Sequence, residues 1–410
     1  MRDILPDEVA RWHHVEDTAR AVFTLYGFRE IRTPLLEATE LFARSVGAAS
    51  DIVRKEMYTI ERGDESTSLR PESTASVVRA FVEHSLERGV AEGYPERLYY
   101  IGPMFRYERP QKGRQRQFHQ IGAEVLGSAE PLADVELLDM LDALLDRLGL
   151  VSRELLLASV GDEQCRPAYR ERLRAWLAPR LGQLCTDCVR RYEENPLRVL
   201  DCKVEADRRL LESAPRLGDH LCAPCSEHFA RVCAGLDRFG IAYRIEPRLV
   251  RGLDYYQRTV FEVLATGLGA QNALLGGGRY DGLVQELGGR PLPGLGFAMG
   301  LERTVALLPD DRVAREGYDA ALVALGAEGF EASLELARRL RRAGLSVLAP
   351  LVERPLGAQL RRADREGARF AIFAGRDEVA SGRYGLKNLQ SGEQTEADEA
   401  AIVAALRERA

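Results

Sequence analysis

The chain has 410 residues, 45% of them hydrophobic and 29% charged, with 57 basic and 63 acidic side chains and a net charge of −6. That length supports two or three domains with ample core, and the acidic balance excludes global attraction to nucleic acid, so any such binding has to come from local basic patches. No apolar run reaches bilayer length, which excludes a helical membrane span. The N-terminus lacks the basic-then-apolar pattern of a signal peptide, so a cytoplasmic location is expected, with the seven cysteines reduced or bound to metal.

Glu8 to Tyr26 is predicted helical: Val9, Trp12, Val15, Ala19, Val22, Phe23 and Tyr26 recur three and four apart, and Gly27 stops the run. Phe28 to Thr33 alternates as a strand and ends on Pro34. In the stretch Thr67 to Ala80, Pro71 marks a helix start that Ser73 or Thr74 can cap, and Glu72 reads on its own as a capping carboxylate. Leu98 to Ile101 and Phe118 to Val125 predict the two strands of a long hairpin. Its tip carries Arg106, Arg109, Lys112, Arg114 and Arg116 against Glu108, which suits a polyphosphate or a nucleic-acid end. Alternation puts Arg106 and Glu108 on one face, and Phe118, Gln120 and Glu124 together. Arg106 offers a planar fork of donors for a phosphate, Phe118 a ring face for a base, and Gln120 and Glu124 acceptors for a small polar ligand. Pro131 to Leu150 reads as an amphipathic, core-facing helix with no chemistry.

Leu155 to about Tyr243 changes texture. It holds all seven cysteines, and helical stretches alternate with turns, as in an insertion between two halves of a domain. Cys185-x-x-Cys188 and Cys222-x-x-Cys225 could supply four thiolates to one tetrahedral structural zinc; reduced, half-buried thiols are the other reading. Arg251-Gly-Leu-Asp-Tyr255-Tyr256 then leads into a strand at Thr259 to Val263, a cation beside two phenol rings that would suit a phosphate and a heteroaromatic ligand. Gly276-Gly277-Gly278 by itself reads as a turn. Pro293 to Arg303 alternates small and apolar residues and runs into a helix through Glu302-Arg303. After Pro309, strands at Ala320–Leu325, Leu345–Leu348 and Arg369–Phe373 alternate with helices at Phe330–Arg342 and Leu356–Arg365, which predicts a parallel sheet with βαβ crossovers. A late strand carries Lys387, and Ala397 to Arg409 closes as a helix.

The Phe105-Arg106-x-Glu108 wording, the basic loop and Phe118 resemble motif 2 of the class II aminoacyl-tRNA synthetases. Helix, strand and Pro34 are similar to motif 1, and residues 293–303 to motif 3. FHQIGAE, RGLDYY and GGGRYDGL are similar in wording to the histidyl-tRNA synthetases. The resemblance implies an α+β catalytic domain over 1–312 with an antiparallel sheet. It adds a helical insertion at about 155–245 that meets the acceptor arm, and a C-terminal α/β anticodon-binding domain over 318–410. Relatives usually carry further residues ahead of the segment matching Arg2 to Pro6, so either the start is late or the first strand is short.

Function follows from the same likeness: ligation of L-histidine to histidine tRNA through a histidyl-adenylate, with ATP and magnesium, by a homodimer. Arg106 and Arg251 would be the catalytic pair at the α-phosphate, and Arg303 would hold the γ-phosphate. Phe118 would stack on adenine with Glu108 near its amino group. Glu72, Thr74 and Gln120 would take the ammonium, with Ser73 standing where many relatives carry glycine. Glu124 and Tyr255 would read the imidazole, and Tyr256 would line the site. Lys112, Arg114 and Arg116 would meet the tRNA acceptor end. Arg361, Arg362, Arg365 and Lys387 are candidate tRNA contacts, with solvated charge an equal reading.

Overall fold

The computed structural model describes every residue except 1, 48–49, 51, 109–113, 203, 251–252, 268–271, 311–316 and 409–410. Two compact units emerge, Met1–Val313 and Ala314–Ala410. In chain order the first unit contains β1 (Arg29–Glu30), β2 (Leu36–Ala38), β3 (Tyr58–Arg62), β4 (Glu65–Leu69), β5 (Glu96–Phe105), β6 (Gln117–Leu126), β7 (Arg153–Ser159), β8 (Arg244–Ile245), β9 (Gln257–Ala265), β10 (Ala273–Arg279) and β11 (Gly294–Gly300). Eight of these form one sheet in the order β1-β5-β6-β11-β10-β9-β7-β8; β2, β4 and β3 form a small second sheet. The five central pairings of the large sheet are antiparallel, and only the edge pairs β1–β5 and β7–β8 are parallel. This is the antiparallel core expected from the motifs.

Period-two side chains divide between the two faces. On β7, Leu155 and Leu157 join one core while Leu156 and Ala158 join the other; on β9, Phe261 and Val263 oppose Val260. The first core receives the helix Pro6–Leu25 through Trp12, Val15, Ala19, Val22 and Phe23, the periodic set that the sequence marks, and Gly27 ends the run at φ +75°. The helix Pro131–Arg147 packs into the same core. Phe23 touches Tyr99 at 4.7 Å between ring centroids, and its truncation to Ala would cost about 3–5 kcal/mol.

The glycine run is not a turn. Gly276, Gly277 and Gly278 lie inside β10, paired with β11 on one side and β9 on the other. A side chain at Gly277 would meet the Gly296 carbonyl and the Phe261 ring, so only glycine lets these strands and that ring come so close. Arg279 ends the strand with no exposed surface. Its guanidinium grips Asp134 through contacts of 2.6 to 3.1 Å and donates to the Ser128 and Glu130 carbonyls at 2.8 Å each. The Pro131–Arg147 helix therefore carries a buried charge that its apolar stripe did not announce.

The expected insertion also needs a correction. Residues 155–159 belong to β7 and 244–245 form β8, both strands of the main sheet, so the irregular part starts only after Ser159. Nor is its last helix, Ala223–Phe239, peripheral: Val232 and Leu236 are fully buried in the first core.

The second unit orders its strands β13-β12-β14-β15-β16, with β12 (Ala320–Ala324), β13 (Val347–Leu348), β14 (Phe370–Ala374), β15 (Tyr384–Asn388) and β16 (Gln394–Ala397). The first three are parallel and joined by helices Gly326–Arg342 and Leu356–Arg365, as predicted. The last two are antiparallel. Their connections are too short for a crossover: β15 turns into β16 where the Asn388 side chain accepts from the backbone N–H groups of Gln390 and Ser391.

Candidate active site

The β5–β6 hairpin pairs from Glu96 opposite Leu126 to Phe105 opposite Gln117. Beyond the last rung, the Arg106 N–H still donates to the Arg116 carbonyl at 2.8 Å, so Arg106 leaves the sheet in a fixed direction. Its Nε donates to the Pro71 carbonyl at 2.9 Å, and its guanidinium sits 5.2 Å from the centroid of the Phe118 ring. Alternation along β6 sends Phe118, Gln120 and Glu124 to one side; Gly122, on the same side, leaves room for the Tyr100 ring.

A cleft of ≈ 590 Å³ opens above these strands. Arg106, Glu108, Arg114 and Phe118 line it from the hairpin, as does Gln120, whose buried side-chain oxygen has no partner among the described residues. Glu72 and Thr74 enter from the start of the helix Thr74–Glu83, Tyr255 and Tyr256 from the turn before β9, and Arg303 from the helix Leu301–Leu307. Segments far apart in sequence thus meet around one space. Arg251 and Lys112 lie outside the described residues, though Val250 and Leu253 on either side of Arg251 line the cleft.

The details qualify several expectations. Glu72, not Ser73 or Thr74, caps the helix: its carboxylate accepts from the N–H groups of Thr74 at 2.8 Å and Ala75 at 3.0 Å while facing the cleft. Ser73 is fully buried, makes no capping bond and is absent from the cleft wall. Glu124 is also fully buried, one hydrogen bond behind the wall, accepting from the Thr74 hydroxyl at 2.7 Å and from the Tyr280 phenol. Gly296 makes that seat possible, because a Cβ there would lie 1.7 Å from a Glu124 oxygen. Arg114 points into the cleft, paired with Glu108 at 2.9 Å, whereas Arg116 stacks on Tyr107 at 4.3 Å.

Tyr280 is the partner that motif reading overlooked. The GGGRYDGL wording flagged its neighbourhood, but nothing local says that this phenol turns toward Glu124, 156 positions away.

Electrostatics separates a cationic end from an acidic one. Burial holds the Arg303 guanidinium below its ordinary range, and Arg114 and Arg106 add to this against Glu108 and Glu262. Several guanidiniums gathered this closely suit a polyanion. At the other end, burial pushes Glu124 up to about 8 and Glu72's charge adds to it, despite the hydrogen bonds from Tyr280 and Thr74. Glu72 is likewise raised by burial, against the backbone N–H groups of Ala75 and Thr74 and the charge of Arg106. Both carboxyls therefore hold their protons more tightly than exposed ones, and a cation placed beside them would reverse that shift.

The expected four-cysteine zinc site is overturned. Cys185 and Cys188 gather with Cys202 and Asp207, whereas Cys222 and Cys225 gather with Asp162 and Cys165. The two knuckles, at the starts of different helices, belong to separate clusters, each completed by a cysteine and an aspartate from another segment.

Comparison with known proteins fits this geometry. A family model described as histidyl-tRNA synthetase matches residues 1–304, and one described as an anticodon binding domain matches residues 319–409. The chain belongs to the histidyl-tRNA synthetase family. The histidine–tRNA ligase of Anaeromyxobacter dehalogenans is 54% identical over 398 residues, covering 96% of this chain and 95% of that protein. That of Geobacter metallireducens is 51% identical over 395 residues, with coverage of 96% and 95%. Among solved structures, apo S. aureus histidyl-tRNA synthetase superposes with a TM-score of 0.83 at 35% identity, covering all of this chain and 98% of the other. Membership accounts for the class II architecture and for the separate C-terminal unit.

Proposed function

We infer that this protein is an ATP-dependent histidine–tRNA ligase. The observation that carries the reading is the single cleft with arginines at one end and the buried Glu72–Glu124 pair at the other. Histidine lies with its ammonium between Glu72 and the buried oxygen of Gln120, which has no partner among the described residues. Its ring is read through Glu124, with Tyr255 and Tyr256 as walls, so that an amino acid without ring nitrogens leaves buried polar groups unmatched.

In the first step a histidine carboxylate oxygen attacks the α-phosphorus of ATP. The bond to the bridging oxygen breaks, and pyrophosphate leaves. Charge grows on the α-phosphate oxygens, where Arg106 and Arg251 stabilise it from two sides. Arg303, with Arg114 beside it, takes the outer phosphates, and Phe118 and Glu108 hold adenine. Glu262 and Glu302, which line the same cleft, are hard oxygen donors of the kind that hold magnesium, and the ion brought in with ATP would screen phosphate charge. In the second step a ribose hydroxyl of the tRNA 3′ end takes the histidyl group from the adenylate, releasing AMP. Lys112 and Arg116 guide the acceptor end, and the Ala314–Ala410 unit takes the anticodon arm, with Arg361, Arg362, Arg365 and Lys387 as its candidate cations.

A homodimer in the cytoplasm belongs to the same reading. Leu25, Leu35 and Leu36, exposed by 41–66% around the motif 1 segment, support a self-association surface, and sedimentation at micromolar concentration would measure it. The activity test is pyrophosphate exchange into ATP over a panel of amino acids. Exchange with histidine alone is expected; exchange with another amino acid, or with none, would overturn the reading.

A further inference from the structure

The two cysteine knuckles share one backbone design. Cys185 is the N-cap of the helix Thr186–Glu194 at φ −66°, ψ 159°, and Cys222 is the N-cap of the helix Ala223–Phe239 at φ −67°, ψ 160°. In each, the second cysteine follows three residues later in the first helical turn, fully buried. Each knuckle meets one further cysteine and one aspartate from elsewhere: Asp162 and Cys165 from the turn after β7, or Cys202 and Asp207 from the segment before and inside the helix Glu205–Leu211. Within each group all four donor atoms lie within 4.8 Å of one another.

The spacings are those of ligands around a tetrahedral ion. Four donors at zinc bond lengths leave sulfurs about 3.8 Å apart and a carboxylate oxygen about 3.5 Å from each sulfur. The Sγ atoms of Cys165 and Cys222 are 3.7 Å apart, and those of Cys185 and Cys202 are 3.9 Å apart. Asp162 lies 3.2 Å from Cys165 Sγ and 3.7 Å from Cys222 Sγ, and Asp207 lies 3.2 Å from Cys202 Sγ. Disulfide bonding, with sulfurs at about 2.0 Å, does not describe these pairs, and all seven cysteines are free.

We propose that residues 160–225 hold two structural zinc ions, one on Asp162, Cys165, Cys222 and Cys225 and the other on Cys185, Cys188, Cys202 and Asp207. Three soft thiolates with one carboxylate in a tetrahedral set select zinc over magnesium or calcium. The region has reason to need them. Between its longer helices the chain runs through short 3₁₀ turns, Ala178–Gln183, Pro196–Asp201 and Leu217–His220, whose few ladder hydrogen bonds give the buried Val199 and Leu217 little backbone scaffolding.

The ions would also brace the histidine wall. Arg166, next to Cys165, donates to the carbonyls of Val160 and Tyr256. Asn195 and Arg198, which follow the Cys185 helix, hold the Asp254 carboxylate at 3.2 and 3.1 Å. Tyr255 lies between these two anchors. The metal count itself does not depend on the ligase reading.

Elemental analysis of the full-length protein, dialysed against metal-free buffer, should give two zinc ions per chain. Cys188→Ser and Cys225→Ser should each retain one ion, the double variant none, and Cys233→Ser, whose thiol belongs to neither group, both. Should a variant fail to fold, cobalt replacement in the parent protein decides: two equivalents with thiolate-to-cobalt charge-transfer absorption are expected. A parent with no zinc, or with disulfides among these cysteines, would overturn the proposal. So would a single ion per chain that is lost from both variants, which would mark one shared site.

Discussion

Asp134 and Glu124 are carboxylates in the same unit, exposed by 1% and 0%, and they are treated in opposite ways. Asp134 faces the Arg279 guanidinium, with His228 Nε2 3.4 Å away. Against the upward push of burial, His228 and Arg279 hold its carboxyl below the ordinary range. Glu124 accepts from the hydroxyls of Thr74 and Tyr280, and burial pushes it up to about 8. The first is matched by a guanidinium of its own chain; the second is matched by two hydroxyls and keeps its proton instead. A buried charge that the fold completes serves stability, and a buried carboxyl left without a cation is a candidate for binding.

The largest effect expected from breaking this contrast is on the Asp134 side. Arg279→Leu strands the Asp134 charge and should cost about 3–5 kcal/mol in denaturant unfolding, most of it recovered when Asp134→Leu is added. On the cleft side, Arg106→Ala should lower kcat for pyrophosphate exchange roughly 100- to 1000-fold, as loss of one donor to a charged transition state does, with the unfolding midpoint nearly unchanged.

Glu124→Gln sharpens the comparison because binding and stability should move apart. Histidine KM should rise roughly tenfold, the effect of about 1.4 kcal/mol lost from one hydrogen bond at the ring. Stability should respond through pH. The folded Glu124 keeps its proton up to about 8, whereas the unfolded chain releases it near the ordinary 4.5. Its contribution is therefore full below 4.5 and is lost as pH rises toward 8. Glu72, also raised, acts in the same direction. The variant should show a shallower fall in unfolding free energy over that window, and an unchanged slope would contradict the assignment. The smallest effect expected is at Phe118→Leu, with ATP KM raised several-fold, about 1 kcal/mol of stacking.

What could be read from the chain alone follows from how local each signal is. The helix Pro6–Leu25 and the β5–β6 hairpin are written in periods of 3.6 and 2, and both were legible with their buried faces. Motif wording nominated Arg106, Phe118, Gln120, Tyr255, Tyr256 and Arg303, side chains from distant segments that share the cleft. The glycine run was not legible as a strand, because what requires glycine at 277 is the Gly296 carbonyl on a neighbouring strand. Nor could spacing assign the cysteines: Cys165 and Cys222 are 57 positions apart, and a third-dimension contact chooses the pairing. Arg279 stands inside the GGGRYDGL wording, but its partner Asp134 is 145 positions away and no local pattern names it.

Glu72 gives the molecule a built-in gauge. One carboxylate both terminates a helix, by receiving the amides of Thr74 and Ala75, and faces the space where an amino group is to sit. An arriving ammonium must share those oxygens, so the two amide protons should change their solvent-exchange rates as substrate fills the enzyme. Nuclear magnetic resonance at two backbone positions would then read out loading directly, with no label on the amino acid.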